Sequence, residues 1–214
     1  MAALVSCSTV PGVTTAPAST SSTRTPVDFA RLEREVLFEL NSARDNPQSY
    51  AANLTPLLPL FSGNRLRRPG WPVAVQTSEG PSAVREAIDA LGSQPRVATL
   101  TLSDAMSKAA RDLANDQRRT GAVGHTSSDG ASPEARLARY GTWGGSYSEN
   151  ADYGSVISGR DVIEDMIIDD GVPDRGHRRN TFDPGARVVG IGCAPHPKYG
   201  VVCVIDQAGS FVPR

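Results

Sequence analysis

Two of the three histidines in this chain stand in short, glycine-led motifs more than fifty positions apart. The motifs are Gly124-His125-Thr126-Ser127-Ser128-Asp129-Gly130 and Gly176-His177-Arg178-Arg179-Asn180, with Ser148-Glu149-Asn150 between them. Imidazole and carboxylate are the side chains that bind metals, move protons and orient polar ligands. If folding brings the three segments together, His125, Glu149 and His177 line one polar pocket. Neutral imidazoles and a carboxylate around an open position make a donor set for a divalent cation such as zinc, so these three are the candidate metal ligands. Arg175, Arg178 and Arg179 lie beside His177 in sequence, and nearby cations favour its neutral ring. Helical His-Glu-x-x-His spacing is absent, as is the Gly-x-Ser-x-Gly elbow of a serine hydrolase. The competing reading is architectural: buried polar groups must be hydrogen-bonded, and these residues suit loop anchors. By that logic Asp129 is a turn residue, Asn150 and Asn180 bond backbone, and Arg178 is an ion-pair partner. His196, between two prolines, reads as an exposed hairpin-tip residue without a role.

The elements that must position these groups are legible in the apolar pattern. Phe29, Leu32, Val36, Leu37, Leu40 and Ala43 recur at helical spacing behind a Thr25-Pro26 start, and Asn46-Pro47 ends that helix. Residues 53–80, with Pro56, Pro59, Pro69, Pro72, Gly63 and Gly70, read as an irregular connection, with Arg65, Arg67 and Arg68 as a solvated basic run. A helix is predicted from Pro81 to Leu91, ended by Gly92. Ser103 caps the next, with the face Met106, Ala109, Ala110, Leu113 and Ala114. Ser132-Pro133 opens a short helix ended by Gly141, and Ser158 with Asp161 forms a capping box ahead of Val162, Ile163, Met166 and Ile167. Residues 187–194 and 200–206 read as strands. Helices first and a hairpin last imply an α+β fold with helices on a mainly antiparallel sheet.

Length, charge and cysteines set the frame. The 214 residues, net charge −1 and 39% hydrophobic content suit one globular domain and lack the basic footprint of a nucleic-acid binder. No apolar run is long enough for a transmembrane helix. Residues 1–26 are Ser/Thr/Pro-rich and read as a flexible tail, leaving 27–214 as the domain. Leu4-Val5-Ser6-Cys7 looks like a lipobox, making Cys7 a candidate lipidation site and the tail a candidate lipid anchor. Cys193 and Cys203 flank a turn signal centred on Lys198. A hairpin there places them opposite each other, as a cross-strand disulfide or as two buried thiols.

The order of parts resembles the CAP superfamily (cysteine-rich secretory proteins, antigen 5 and pathogenesis-related 1; the SCP domain), in its microbial-type branch. The resemblance runs over roughly residues 28–210: amphipathic helix, Gly-His turn, Ser-Glu-Asn, helix, Gly-His-Arg-x-Asn, then Val-Gly-Ile-Gly. It implies an α-β-α sandwich with a central, mainly antiparallel sheet, and a cavity bearing two histidines and two acids. His125, Glu149 and His177 match three of these. The fourth, a glutamate in the family's Trp-x-x-Glu, falls on Asp169, with Met166 in place of the tryptophan. At 100° per residue Asp170 lies nearer the middle of the apolar arc of that helix, so either acid can face the cavity.

The resemblance implies a secreted or cell-envelope protein that binds a lipid-like small molecule or a protein partner without catalysis. Two alternatives come from other classes: a metal-dependent hydrolase using His125, His177 and Glu149, and a structural envelope protein that uses the fold as a scaffold.

Overall fold

Val189, Ile191, Cys193 and, on the next strand, Val201, Cys203 and Ile205 point to one side of a sheet, while the residues between them point to the other. This alternation builds the fold, an α-β-α sandwich. The structure, a computed structural model, describes residues 27–155 and 158–214. The expected tail over 1–26, the Cys7 lipidation site and the Thr25-Pro26 helix start lie outside the described residues.

The first layer begins with α1 (Phe29–Asp45), capped by Asp28, whose carboxylate accepts the Arg31 N–H at 3.0 Å. Asn46 caps α2 (Pro47–Leu54), and a 3₁₀ turn follows over Thr55–Leu60. Three two-residue strands, β1 (Phe61–Ser62), β2 (Arg65–Leu66) and β3 (Val75–Gln76), then make a small antiparallel sheet where an irregular connection was expected. Next come α3 (Pro81–Ser93), β4 (Thr101–Leu102), α4 (Asp104–Thr120) and α5 (Pro133–Leu137). The long strand β5 (Gly141–Gly154) was not foreseen: its glycines and polar residues hide it, and Ser148-Glu149-Asn150 sits inside it. The chain ends with α6 (Gly159–Ile168), α7 (Gly176–Thr181), β6 (Val188–His196) and β7 (Gly200–Pro213). Ser158 and Asp161 form the expected capping box on α6.

The main sheet runs β4-β6-β7-β5, antiparallel except for the parallel β4–β6 pair. Helices α1, α2, α3 and α6 cover the valine–cysteine face. The opposite face takes α4, and its fit depends on Gly190 and Gly192. A methyl at Gly190 would lie 2.3 Å from the Met106 carbonyl carbon, and one at Gly192 2.4 Å from the Arg111 nitrogen. With no side chain at either position, the alanine face of α4 lies directly on the strand.

Two features fix the hairpin. Cys193 and Cys203 are directly opposed in register and form a disulfide. His196 is buried rather than exposed. Its Nε2 lies 3.0 Å from the Ala122 carbonyl, and its Nδ1 accepts the Lys198 and Tyr199 N–H groups at 3.2 Å. The turn folds back over the chain leaving α4, and the buried imidazole ties the two together through their backbone groups. Arg44 does the same between layers, donating to the carbonyls of Ala98, Thr181, Asp183 and Ala186. Burial lowers its pKa to about 10, against the opposing pull of Asp183. Among the described residues no helix is long and apolar enough to cross a membrane.

Candidate functional site

His125 sits on the loop after α4, at the outer edge of β5. Gly121, at φ 70°, ends α4 and turns the chain, and Gln117 and Tyr153 hold Gly124 through its carbonyl and N–H. The His125 Nδ1 lies 2.8 Å from Glu149 Oε1, and the other carboxylate oxygen takes the Arg136 guanidinium at 2.5 Å. Arg136 is fully buried and also donates to the carbonyls of His125 and Ala131, which locks the loop onto α5. The His125 side chain is 47% exposed while that of Glu149 is 2% exposed, so the pair presents an imidazole edge to solvent on a buried acid. The hydrogen bond to Glu149 raises the His125 pKa above its ordinary value, against a smaller opposing effect of burial. Asp206 lies behind Glu149 and accepts the Tyr147 hydroxyl at 2.9 Å. Burial, with the Glu149 charge adding to it, pushes the Asp206 carboxyl well above the usual carboxylate range.

His177 belongs to a second arrangement. α6 stops at Ile168 because Asp169 adopts the left-handed conformation, φ 54° and ψ 46°. That turn aims the Asp169 carboxylate at α7, where it accepts the His177 backbone N–H at 2.9 Å and faces Nδ1 at 2.6 Å. Asp170 instead accepts the backbone N–H groups of Ser78 and Glu79 at 2.6 and 2.8 Å. The helical wheel reaches neither acid, because α6 ends at Ile168. Asn150 donates to the His177 carbonyl at 3.1 Å and accepts from Asn180, so Asn150 ties backbone while Asn180 bonds a side chain. Arg178 pairs with Glu86.

The histidines therefore form two dyads, His125–Glu149 and Asp169–His177. Among the described residues no three histidine, cysteine, aspartate or glutamate side chains are grouped to hold a metal ion. His125, Glu149 and His177 do not make one donor set, and both oxygens of Glu149 are already engaged. A zinc centre of these three does not fit this geometry.

A cavity of about 480 Å³ opens beside the second dyad. Asp169, Asp170 and His177 line it; His125 and Glu149 do not. Its apolar wall includes Phe61, Leu66, Trp71, Val75, Met166 and Ile168. The 61–76 segment covers it and is held down by Arg68, which is buried rather than solvated. Arg68 reaches Asp161 at 2.9 Å, Glu164 at 3.0 Å and Asp165 at 2.5 Å, and its guanidinium lies 5.1 Å from the Trp71 ring centre. Burial raises the Glu164 pKa to about 7 and that of Asp165 to about 6, with Arg68 opposing both shifts. Sequence reasoning named Asp169, Asp170 and His177 as cavity residues but missed Arg68 and the carboxyls it joins. A signal was present: Asp161, Glu164 and Asp165, at i, i+3 and i+4, share one helix face and call for a cationic partner.

A sequence model of the cysteine-rich secretory protein family, CAP, matches residues 61–206. Among solved structures, similarity is found to an extracellular protein containing an SCP domain from Bacillus anthracis str. Ames. The two share 15% identity over 53% of this chain and 35% of that one, with a TM-score of 0.42. An outer surface protein from Borrelia burgdorferi is 17% identical over 52% of this chain and 78% of that one, with a TM-score of 0.44. The chain thus spans about a third of the Bacillus anthracis protein. No curated protein matches the chain.

Proposed function

Because the chain belongs to the cysteine-rich secretory protein (CAP) family, we propose that it acts outside the reducing cytosol as a non-enzymatic binding protein for a small, lipid-like molecule. The observation that carries this reading is the cavity of about 480 Å³, lined by aromatic and aliphatic side chains with a few polar groups at its edge. That combination and size are typical of small-molecule sites, which run to ~300–1,000 Å³. The Cys193–Cys203 disulfide supports an oxidising compartment. His125 and His177 each have Nδ1 against a carboxylate. Among the described residues no serine, threonine or cysteine side chain is hydrogen-bonded to either ring, which argues against nucleophilic catalysis.

The test is displacement of an environment-sensitive alkyl fluorophore, together with mass spectrometry of small molecules that co-purify with the native chain. Val75→Trp fills the cavity from its cover and is expected to weaken probe binding at least about tenfold. His125→Ala, remote from the lining, leaves binding within about twofold. Equal affinity of the native chain and Val75→Trp, with no co-purified molecule, would remove the reading.

A further inference from the structure

The cavity holds more acid than its own cations match. Asp152, Asp165, Asp169 and Asp170 line it, against Arg68 and Lys198. Two of the acids are committed: Asp169 to His177, and Asp170 to the amides of Ser78 and Glu79. Asp165 shares one guanidinium with Asp161 and Glu164. Lys198 stands over the Tyr199 ring, 5.0 Å from its centre. That leaves Asp152. It lies on β5 in register with Cys203, and its Oδ2 is buried with no hydrogen-bond partner among the described residues.

A carboxyl enclosed by protein with an unanswered oxygen either keeps a proton or takes a cation from outside. Burial, with Asp165 adding to it, pushes the Asp152 carboxyl well above the usual range, while Arg68 pulls it back. The charged groups that bear on it, Asp161 and Asp165 on α6 and Arg68 in the cover, leave the acid under-compensated. A metal ion does not answer this demand, because among the described residues no three ligating side chains are grouped and Arg68 occupies the middle of the carboxyls on α6. An organic cation does. It brings a single positive charge to Asp152 and needs no set of metal ligands, and the Tyr199 ring, already under the Lys198 ammonium, lines the same cavity. Trp71, Phe61 and Met166 supply an apolar wall for the rest of the molecule.

We infer that the cavity selects an amphiphile with a cationic nitrogen head, a protonated amine or quaternary ammonium on an apolar body, and that Asp152 is the carboxylate that recognises it. This rests on the binding reading above and adds the ligand's charge to it.

The experiment compares decylamine, decyltrimethylammonium, decanol and decanoate, all below their aggregation concentrations, on the full chain at pH 7. Trp71 fluorescence in a Trp143→Phe background reports occupancy. Both cations are expected to bind at least about tenfold tighter than decanol, and decanoate weaker than decanol. Asp152→Asn is expected to bring the cations down to the decanol affinity while leaving decanol unchanged. Any proton released from Asp152 on cation binding is read as a dependence of the calorimetric heat on the buffer's ionisation enthalpy, and that dependence is expected to shrink in Asp152→Asn. If the cations and decanol bind equally well, the charge preference is overturned and the binding reading stands. Decanoate binding tightest would make Arg68 the recognising group and overturn the inference. A cation preference that survives Asp152→Asn overturns the role of Asp152. If none of the four probes binds, the binding reading itself falls.

Discussion

Glu149 is engaged from three sides: His125 and Arg136 take its oxygens, and Asp206 lies behind it. This makes the His125 contact sensitive to pH. The folded-state pKa of His125 is raised above 6.5 by the Glu149 hydrogen bond. Its stabilising contribution is therefore fully present below 6.5 and is lost as pH rises through the higher folded value. Replacing it by His125→Gln is expected to flatten the decline in melting temperature above pH 6.5. The difference between native and variant melts across pH 5.5–8.5 isolates the effect from Glu164, whose pKa of about 7 lies in the same window. Parallel curves would rule the linkage out. The three motif residues His125, Glu149 and His177 were legible because their types are rare and their neighbours distinctive. Their partners were less so. Choosing Asp169 over Asp170 depends on a left-handed backbone at one residue, and nothing in Asp169-Asp170-Gly171 marks which position adopts it. Arg68 looked like one of three surface arginines, because burial of a cation is set by partners almost a hundred positions away.

At the scale of elements, the sheet and α4 were specified together. The alternation Val189-Gly190-Ile191-Gly192-Cys193 puts bulk on one face and removes it from the other. Gly192→Ala sets a methyl against the α4 backbone, which cannot yield as a flexible side chain can. Overpacking of this kind costs about 1–3 kcal/mol, to be read as a lower urea midpoint at unchanged slope. An alanine variant as stable as the native chain would show that α4 is not held at that distance. The hairpin carries a second expectation. The disulfide spans a sequence separation of 10, and reducing a loop of that length costs about 2–3 kcal/mol by the chain-entropy estimate. Denaturation with and without reductant measures it, and coincident curves would make the bridge stabilising in name only. Helices α1, α3, α4 and α6 were legible because their faces are periodic, and α4 and α6 also carry serine N-caps. β5 was not, because an edge strand with Gly144-Gly145 and a bulge after Gly144 has no clean alternation to read.

Across the whole molecule, the sandwich is a frame and the 61–76 segment lies over its cavity. The frame is locked by continuous apolar clusters on both sheet faces. The cover rests on the contacts of Leu66 and Trp71, on Phe61 packed against the main cluster and on Arg68 among three carboxyls, and Asp170 and Arg175 hold Ser78 and Glu79 just beyond it. Removing the cation leaves Asp161, Glu164 and Asp165 facing one another under the cover. Breaking a buried ion pair from one side costs about 3–5 kcal/mol, and here much of that falls on the closed position of a single segment. Arg68→Met is therefore expected to speed amide hydrogen exchange in residues 61–76 by about 100-fold or more while the β6–β7 amides keep their protection. Arg68→Lys keeps the charge but loses the planar fork that spans three carboxyls, and should fall between native and Met. The same order should appear in the entry rate of an alkyl probe, because an opening cover exposes the cavity that Trp71 walls. Faster exchange spread evenly over frame and cover would mean that Arg68 stabilises the domain as a whole. Unchanged exchange in 61–76 would mean that the apolar contacts of Leu66 and Trp71 hold the cover without it.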